Sequence, residues 1–308
     1  MGGETVGLIG LGNLGRPVAR RLLGCGYELV VYDRDPSRTA GVVDLGAAGT
    51  TDPRELGGRV DVALTALPNR AAIEDAVLHD EHGLLAGLHP GSTLIDFSTN
   101  SLDLTRRLGD RCDEAGIHVL DAAMTQARGS VADGRAVIMV GGEPGVLERW
   151  RPLLARLSNN ISAMGPHGSG TVTKLVTQYI GLANIVTAIE GLLIAAGAGI
   201  ELGRVFDVLP STYAESFATV MVRQLVATHP FETPQSADGT LALLLKDIDQ
   251  ALALSRELGT SQRMGNGLRD AFTSAQSASP DDANFTSILG ALERQSGTRL
   301  SIPHPEPC

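Results

Sequence analysis

Along the first half of the chain, short β-branched apolar runs alternate with amphipathic stretches. This alternation predicts a parallel sheet wrapped by helices. Strands are expected at 5–9, 28–32, 60–66, 93–97 and 117–120, and helices at 16–23, 71–78, 102–115 and 144–157. After Met164 the strand signals thin out and helical periodicity takes over, from 171 towards 198 and again from 240 to 258. The expected organisation is an α/β domain over 1–164 followed by an all-α domain over 165–308. A first long helix of about 28 residues would span roughly 42 Å, enough to bridge both.

Part of that helix has the composition of a membrane span. Residues 180–200 are almost wholly apolar and close to the ~20 residues that cross a bilayer. They also contain Asn184 and Glu190, and no second apolar span accompanies them, so a helix buried between protein layers is expected. The closing Pro303, Pro305 and Pro307 cannot continue a helix and predict a frayed or partner-wrapped end.

Size and charge narrow the partners. A chain of 308 residues suits two ordinary domains, and a formal net charge of −10 disfavours both nucleic acid and anionic membrane surfaces. Three cysteines, Cys25, Cys112 and Cys308, are odd in number and lack ligand spacing, so neither a disulfide framework nor a zinc site is expected. No H-E-x-x-H occurs, and a bound metal is not expected. The start of the chain lacks the basic region and cleavage site of a signal peptide, and with the thiols this points to the cytoplasm. There is no G-x-S-x-G elbow, which disfavours a hydrolase.

The first strand runs directly into Gly10-Leu11-Gly12-Asn13-Leu14-Gly15, and a helix is expected to begin near Arg16. In such a turn Gly10 permits the tight bend, Gly12 lets backbone N–H groups approach a pyrophosphate, and Gly15 allows close helix-to-strand packing. The glycines alone also suit a plain strand-to-helix turn. The next strand ends at Asp33, close to the ~20 residues beyond the third glycine at which a ribose-binding acid is expected. An acid there accepts from the ribose hydroxyls and repels a 2′-phosphate, favouring NAD over NADP. The neighbouring Arg34 could pair with such a phosphate or be a solvated loop residue, so NADP stays open.

Four further segments follow in an order that resembles the β-hydroxyacid dehydrogenase family, which includes 3-hydroxyisobutyrate dehydrogenases and reductases of small semialdehydes. Leu67-Pro68 and Ile95-Asp96-Phe97-Ser98-Thr99 look like the family's two loops over the nicotinamide end of the cofactor. Asp121-Ala122-Ala123-Met124-Thr125, with Met139-Val140-Gly141-Gly142, resembles its substrate segment. The run from Gly168 to Lys174 is similar to the catalytic segment, and Lys246-Asp247-Ile248 to a late Lys-Asp-Leu element that contacts cofactor or substrate. The resemblance covers nearly the whole chain. It implies a Rossmann-type doubly wound sheet, a helical C-terminal domain joined by the long helix, and a homodimer or higher homo-oligomer.

The chemistry of the catalytic segment is also legible in its residues. Gly168 and Gly170 put no side chains at the start of the long helix, so an anionic substrate is expected to approach its free N–H groups. Lys174, about one turn in, could donate a proton to the oxygen formed when a carbonyl receives hydride and accept it in reverse. Gln178 shares that helix face. A solvent-facing lysine is the bland alternative, disfavoured by the apolar helix around it. His167, ahead of the helix, is expected to be structural.

Two departures from the family bear on the substrate. The family's Asp-Ala-Pro-Val-Ser-Gly-Gly ends here in Thr125, Gln126 and Ala127, which keeps a hydroxyl but adds a bulky amide, and Gln178 replaces the usual asparagine. A small, carboxylate-bearing substrate other than 3-hydroxyisobutyrate is therefore expected. Imine reduction, or a catalytically silent dinucleotide-binding module, are the alternatives, and Lys174 argues against both.

Overall fold

The first six strands of the N-terminal half run in parallel and end at the same edge of one sheet. The computed structural model describes residues 5–125, 130–229, 239–280 and 283–302. Its strands are β1 (Thr5–Ile9), β2 (Glu28–Tyr32), β3 (Ala48–Gly49), β4 (Val62–Thr65), β5 (Thr93–Asp96), β6 (His118–Thr125), β7 (Val137–Gly142) and β8 (Asn160–Gly165). They line up as β3-β2-β1-β4-β5-β6-β7-β8. β1 pairs in parallel with β2 on one side and β4 on the other, so the order reverses at β1, where doubly wound sheets bind their ligands.

Helices α1 (Gly15–Gly24) and α6 (Pro144–Leu157) cover one face, with Val18, Leu22, Trp150 and Leu153 packed on Val6, Leu8, Val62 and Ile95. The opposite face carries α3 (Pro53–Gly57), α4 (Arg70–Ala76) and α5 (Leu102–Glu114), whose Leu56, Ile73, Leu104 and Leu108 bury Ile9, Ala63 and Leu94. Alternate residues of one strand thus go to different cores, which is why the strands read as continuous apolar runs. Between β2 and β3 lies α2 (Pro36–Val43), whose first turn is capped by the Asp35 carboxylate accepting from the Ser37 N–H at 3.0 Å.

The sheet departs from the all-parallel expectation on its far side. The strand expected at 117–120 continues to Thr125, and β7 runs antiparallel to β6 before β8 pairs with β7 in parallel. β7 and β8 escape a sequence reading because both end in glycine and β8 is half exposed, so neither shows an apolar alternation.

The remaining helices are α7 (Ser169–Gly197), α8 (Leu202–Val208), α9 (Phe217–Thr228), α10 (Leu241–Glu257), α11 (Gly265–Ser277) and α12 (Ser287–Ser296). The chain divides into two compact units, Met1–Lys174 and Leu175–Cys308. The second has its own core, in which Leu182, Ile185, Ile189, Val222, Ile248 and Phe272 pack together.

The expectation of a helix buried between protein layers holds for part of the surface of α7. Ile189 is fully buried, but Ile180 is 54% and Ile194 75% exposed. By length and composition α7 is the one helix among the described residues able to cross a membrane. Its apolar residues occupy more than one face, and only some of them are covered.

Candidate active site

The glycine turn is built by steric necessity. Gly10 has φ +90°, and a side chain there would overlap the carbonyl of Ala66. A Cβ on Gly15 would overlap the Gly10 carbonyl, so α1 can start this close to β1 only with glycine. Gly12 differs, because a Cβ there would meet nothing nearer than the Arg38 guanidinium at 3.7 Å. The open side of the turn, together with an α1 N-terminus that no side chain caps, fits a bound pyrophosphate.

Asp33, buried at the end of β2, tightens that turn. Its Oδ2 accepts the Leu11 N–H at 2.7 Å and its Oδ1 accepts the Asp35 N–H at 2.9 Å. A carboxylate has about four acceptor positions, so capacity remains for ribose hydroxyls. Arg34 is exposed. Arg38, which sequence reasoning did not single out, lies 3.8 Å from the Asp33 carboxylate and nearest the open side of Gly12. It is the better placed guanidinium, brought there by the first turn of α2.

The two loops expected over the nicotinamide are tied together. The Leu67 N–H donates to Ser98 Oγ at 2.9 Å, and Thr65 Oγ1 donates to Asp96 Oδ1 at 2.7 Å. Asp96 also accepts from the Ser98 N–H and from Asn100 Nδ2, at 3.0 and 2.7 Å. Burial pushes the Asp96 carboxyl above the ordinary range; the hydrogen bonds from Ser98 and Thr65 oppose this, and the negative charge of Asp121 adds to it. Pro68 and Thr99 flank this knot, exposed and half-buried respectively.

Asp121 stands beside Asp96 across the β5–β6 pair. Its Oδ1 accepts the Gly168 N–H at 2.7 Å and its Oδ2 the Thr171 N–H at 2.6 Å. This corrects the expectation that the glycines leave the start of α7 open to substrate, because Asp121 already holds those two amides. A Cβ on Gly170 would overlap the Met139 carbonyl, so that glycine serves close packing on the strands. His167 packs its ring on Gly109 of α5. Lys174, one turn into α7, is only 6% exposed, which removes the solvent-facing alternative.

Thr125 closes β6 opposite Val137. Gln126 and Ala127 lie outside the described residues, as do Pro303, Pro305 and Pro307. Within the second unit, Gln178 and Lys246 meet on one carboxylate. Gln178 Nε2 donates to Asp247 Oδ2 at 2.9 Å, and Lys246 Nζ lies 3.3 Å from Oδ1. The Lys246 contact is off the hydrogen-bonding direction and acts as an ion pair. Among the described residues no group of three or more histidine, cysteine or acidic side chains could hold a metal ion.

One sequence signal for the two amines is composition. Of 25 lysines and arginines only Lys174 and Lys246 are lysine. Their scarcity sets these two positions apart from the arginines that supply every other basic side chain.

Two family models match. Residues 5–165 fit the NAD binding domain of 6-phosphogluconate dehydrogenase, and residues 168–292 fit the NAD-binding domain of NADP-dependent 3-hydroxyisobutyrate dehydrogenase. The NAD-dependent L-serine dehydrogenase of Pseudomonas aeruginosa is 28% identical over 85% of this chain and 89% of its own length. The 2-hydroxy-3-oxopropionate reductase of Escherichia coli is 28% identical over 96% and 99%. The structure of Mycobacterium tuberculosis 3-hydroxyisobutyrate dehydrogenase with L-serine superimposes with a TM-score of 0.81 at 23% identity, covering 95% of this chain and 99% of that one.

Proposed function

The chain belongs to the β-hydroxyacid dehydrogenase family of NAD(P)-dependent oxidoreductases, and from that premise we propose that it transfers hydride reversibly at the carbinol carbon of a small 3-hydroxy acid or its semialdehyde. The observation that carries this reading is Lys174, a buried amine on a helix whose first turn is fixed to the strand leading to Thr125. Residues 1–164 bind the dinucleotide and 165–308 serve substrate binding and dimerisation.

Bound NAD(P) supplies or accepts the hydride. The turn from Gly10 to Gly15, with Leu11, Asn13 and Leu14, holds the pyrophosphate through its amides. Asp33 takes the ribose hydroxyls and favours NAD, while Arg38 and Arg34 leave some tolerance for NADP. Leu67, Pro68 and Thr99 shape the loops at the nicotinamide end. The Thr125 hydroxyl, Gln126 and Ala127 contact the substrate carboxylate, and Gln126 sets selectivity. Lys174 protonates the nascent alkoxide in reduction and takes the alcohol proton in oxidation, with Gln178 positioned on the same helix. Lys246 supplies a second positive charge for cofactor or substrate.

The enzyme is a homodimer through the C-terminal half, which would cover the apolar residues of α7 such as Ile180 and Ile194. It works in the cytoplasm, in keeping with free thiols at Cys25 and Cys112, the latter an inert thiol pushed up to about 12 chiefly by burial. A panel of L-serine, 3-hydroxyisobutyrate, 2-hydroxy-3-oxopropionate and cyclic imines, followed by nicotinamide absorbance with NAD(H) and NADP(H), tests the reading. Turnover confined to the imines would overturn it.

A further inference from the structure

We propose that Asp121 is a positioning residue for Lys174, clamping the first turn of α7 onto β6 so that the amine approaches the reacting oxygen from a fixed height and direction. The inference rests on the role given above to Lys174.

The clamp is built on three sides. The carboxylate, 2% exposed, spends both oxygens on α7, one on the Gly168 N–H and one on the Thr171 N–H. Gly141 on β7 and Gly170 on α7 both lie against it: a Cβ on Gly141 would overlap Asp121 Oδ1, and one on Gly170 would come within 2.9 Å of Oδ2. Thr171 is held independently by α5, its hydroxyl 3.1 Å from that of Thr105. A helix start is otherwise its least constrained part, with four unpaired amides and a tendency to fray. Here it is bonded to the strand that four residues later presents Thr125.

Helix geometry links this clamp to the lysine. Gly170 and Lys174 are four apart and share a face, and helical side chains lean back towards the preceding turn. That geometry would lay the Lys174 side chain over the turn that holds Asp121, with no side chain on Gly170 intervening. A buried carboxylate so placed would favour the charged form of the amine, the form that donates the proton in carbonyl reduction. Among the described residues, Asp96 from β5 already feels the charge of Asp121, His167 from the loop ahead of α7 lies against Gly109 of α5, and α5 also carries the buried thiol of Cys112 and a run of charged side chains from Asp103 to Glu114.

The test uses the fact that the chain has two lysines. Full-length protein grown on lysine labelled with carbon-13 at Cε and saturated with NAD gives one resonance for Lys174 and one for Lys246, assigned with Lys174→Ala. In Asp121→Asn the titration midpoint of Lys174 should fall by about one pH unit, the lower end for loss of a nearby opposite charge. That of Lys246 should stay in place. Turnover on the most active member of the panel should fall by roughly tenfold or more with NAD affinity kept, because a displaced acid/base costs chemistry rather than cofactor binding. Should Asp121→Asn fail to fold, Asp121→Ser, which removes the charge with a smaller side chain that Gly141 and Gly170 do not crowd, should move the same midpoint in the same direction.

An unmoved Lys174 midpoint with wild-type turnover would overturn the proposal. Full activity in Lys174→Ala with a midpoint that still moves in Asp121→Asn would remove the lysine from the chemistry and leave the clamp established.

Discussion

Gln178 donates its amide N–H to the buried carboxylate of Asp247 at 2.9 Å, which turns the Gln178 carbonyl oxygen away from that carboxylate. Asp247 also carries the ion pair to Lys246, so one buried acid fixes two candidate site residues. Asp247→Ala should cost about 1–3 kcal/mol, the range for stranding buried hydrogen-bond partners. It should also lower turnover, since both side chains lose their common anchor. Calorimetry and steady-state kinetics check this. A variant with wild-type turnover would show that neither Gln178 nor Lys246 needs its orientation.

The three glycines of the turn separate a folding demand from a binding demand. Gly12→Ala should leave the melting temperature unchanged, because a Cβ there meets only the far end of Arg38. It should weaken NAD(H) binding by roughly tenfold or more, as a methyl intrudes where amides meet phosphate. Gly15→Ala should instead destabilise by about 1–3 kcal/mol or more, since its Cβ overlaps the Gly10 carbonyl. Equal losses of stability in the two variants would refute this division.

Asp33 and Arg38, 3.8 Å apart, give a test of cofactor choice. Wild type should show a higher kcat/KM with NAD, and Arg38→Ala should reduce what NADP activity remains. Asp33→Ala should narrow the preference while weakening both cofactors, because the Leu11 N–H loses the acceptor that holds the turn. A clear NADP preference in the wild type would mean that the guanidinium outweighs the carboxylate.

The glycine turn and Asp33 were legible in the sequence because their demands are local. One strand, one turn and one following strand dictate them. The clamp at Asp121 was not, because its partners lie 47 and 50 residues away and its strand continues into a segment that resembles a substrate grip. The same blindness made Gly168 and Gly170 look like an open helix start. Gly170 is absent of side chain because the Met139 carbonyl and the Asp121 carboxylate occupy the space, which only the packed strands reveal. Lys174 was singled out by the apolar helix and the glycine pair around it, and the structure adds that it is buried. The exposure of Ile180 and Ile194 depends on how many helices pack on α7, a count that periodicity does not supply.

Those exposed residues give a test of assembly. Light scattering should find a dimer at micromolar concentration, and Ile194→Glu should shift it towards monomer by placing a charge where a partner would be buried. A wild-type monomer would remove dimerisation from the account, and α7 would need another cover.

The decisive variants are at Lys174. If its amine moves the proton, Lys174→Ala should lower turnover by about 100-fold or more, the usual range for a positioned acid/base, while NAD(H) affinity changes little. Lys174→Arg should fail nearly as badly, because a guanidinium keeps its charge and does not release its proton near neutral pH. The direction of pH dependence follows from which form each reaction consumes. Oxidation of the alcohol needs the neutral amine as base and should quicken as pH rises; reduction of the carbonyl needs the ammonium and should quicken as pH falls. Both dependences should vanish in Lys174→Ala, with the residual rate flat across the range where the wild type changes. Substantial activity in the alanine variant with an unchanged pH profile would place the proton donor elsewhere and make imine reduction the better account of the same fold.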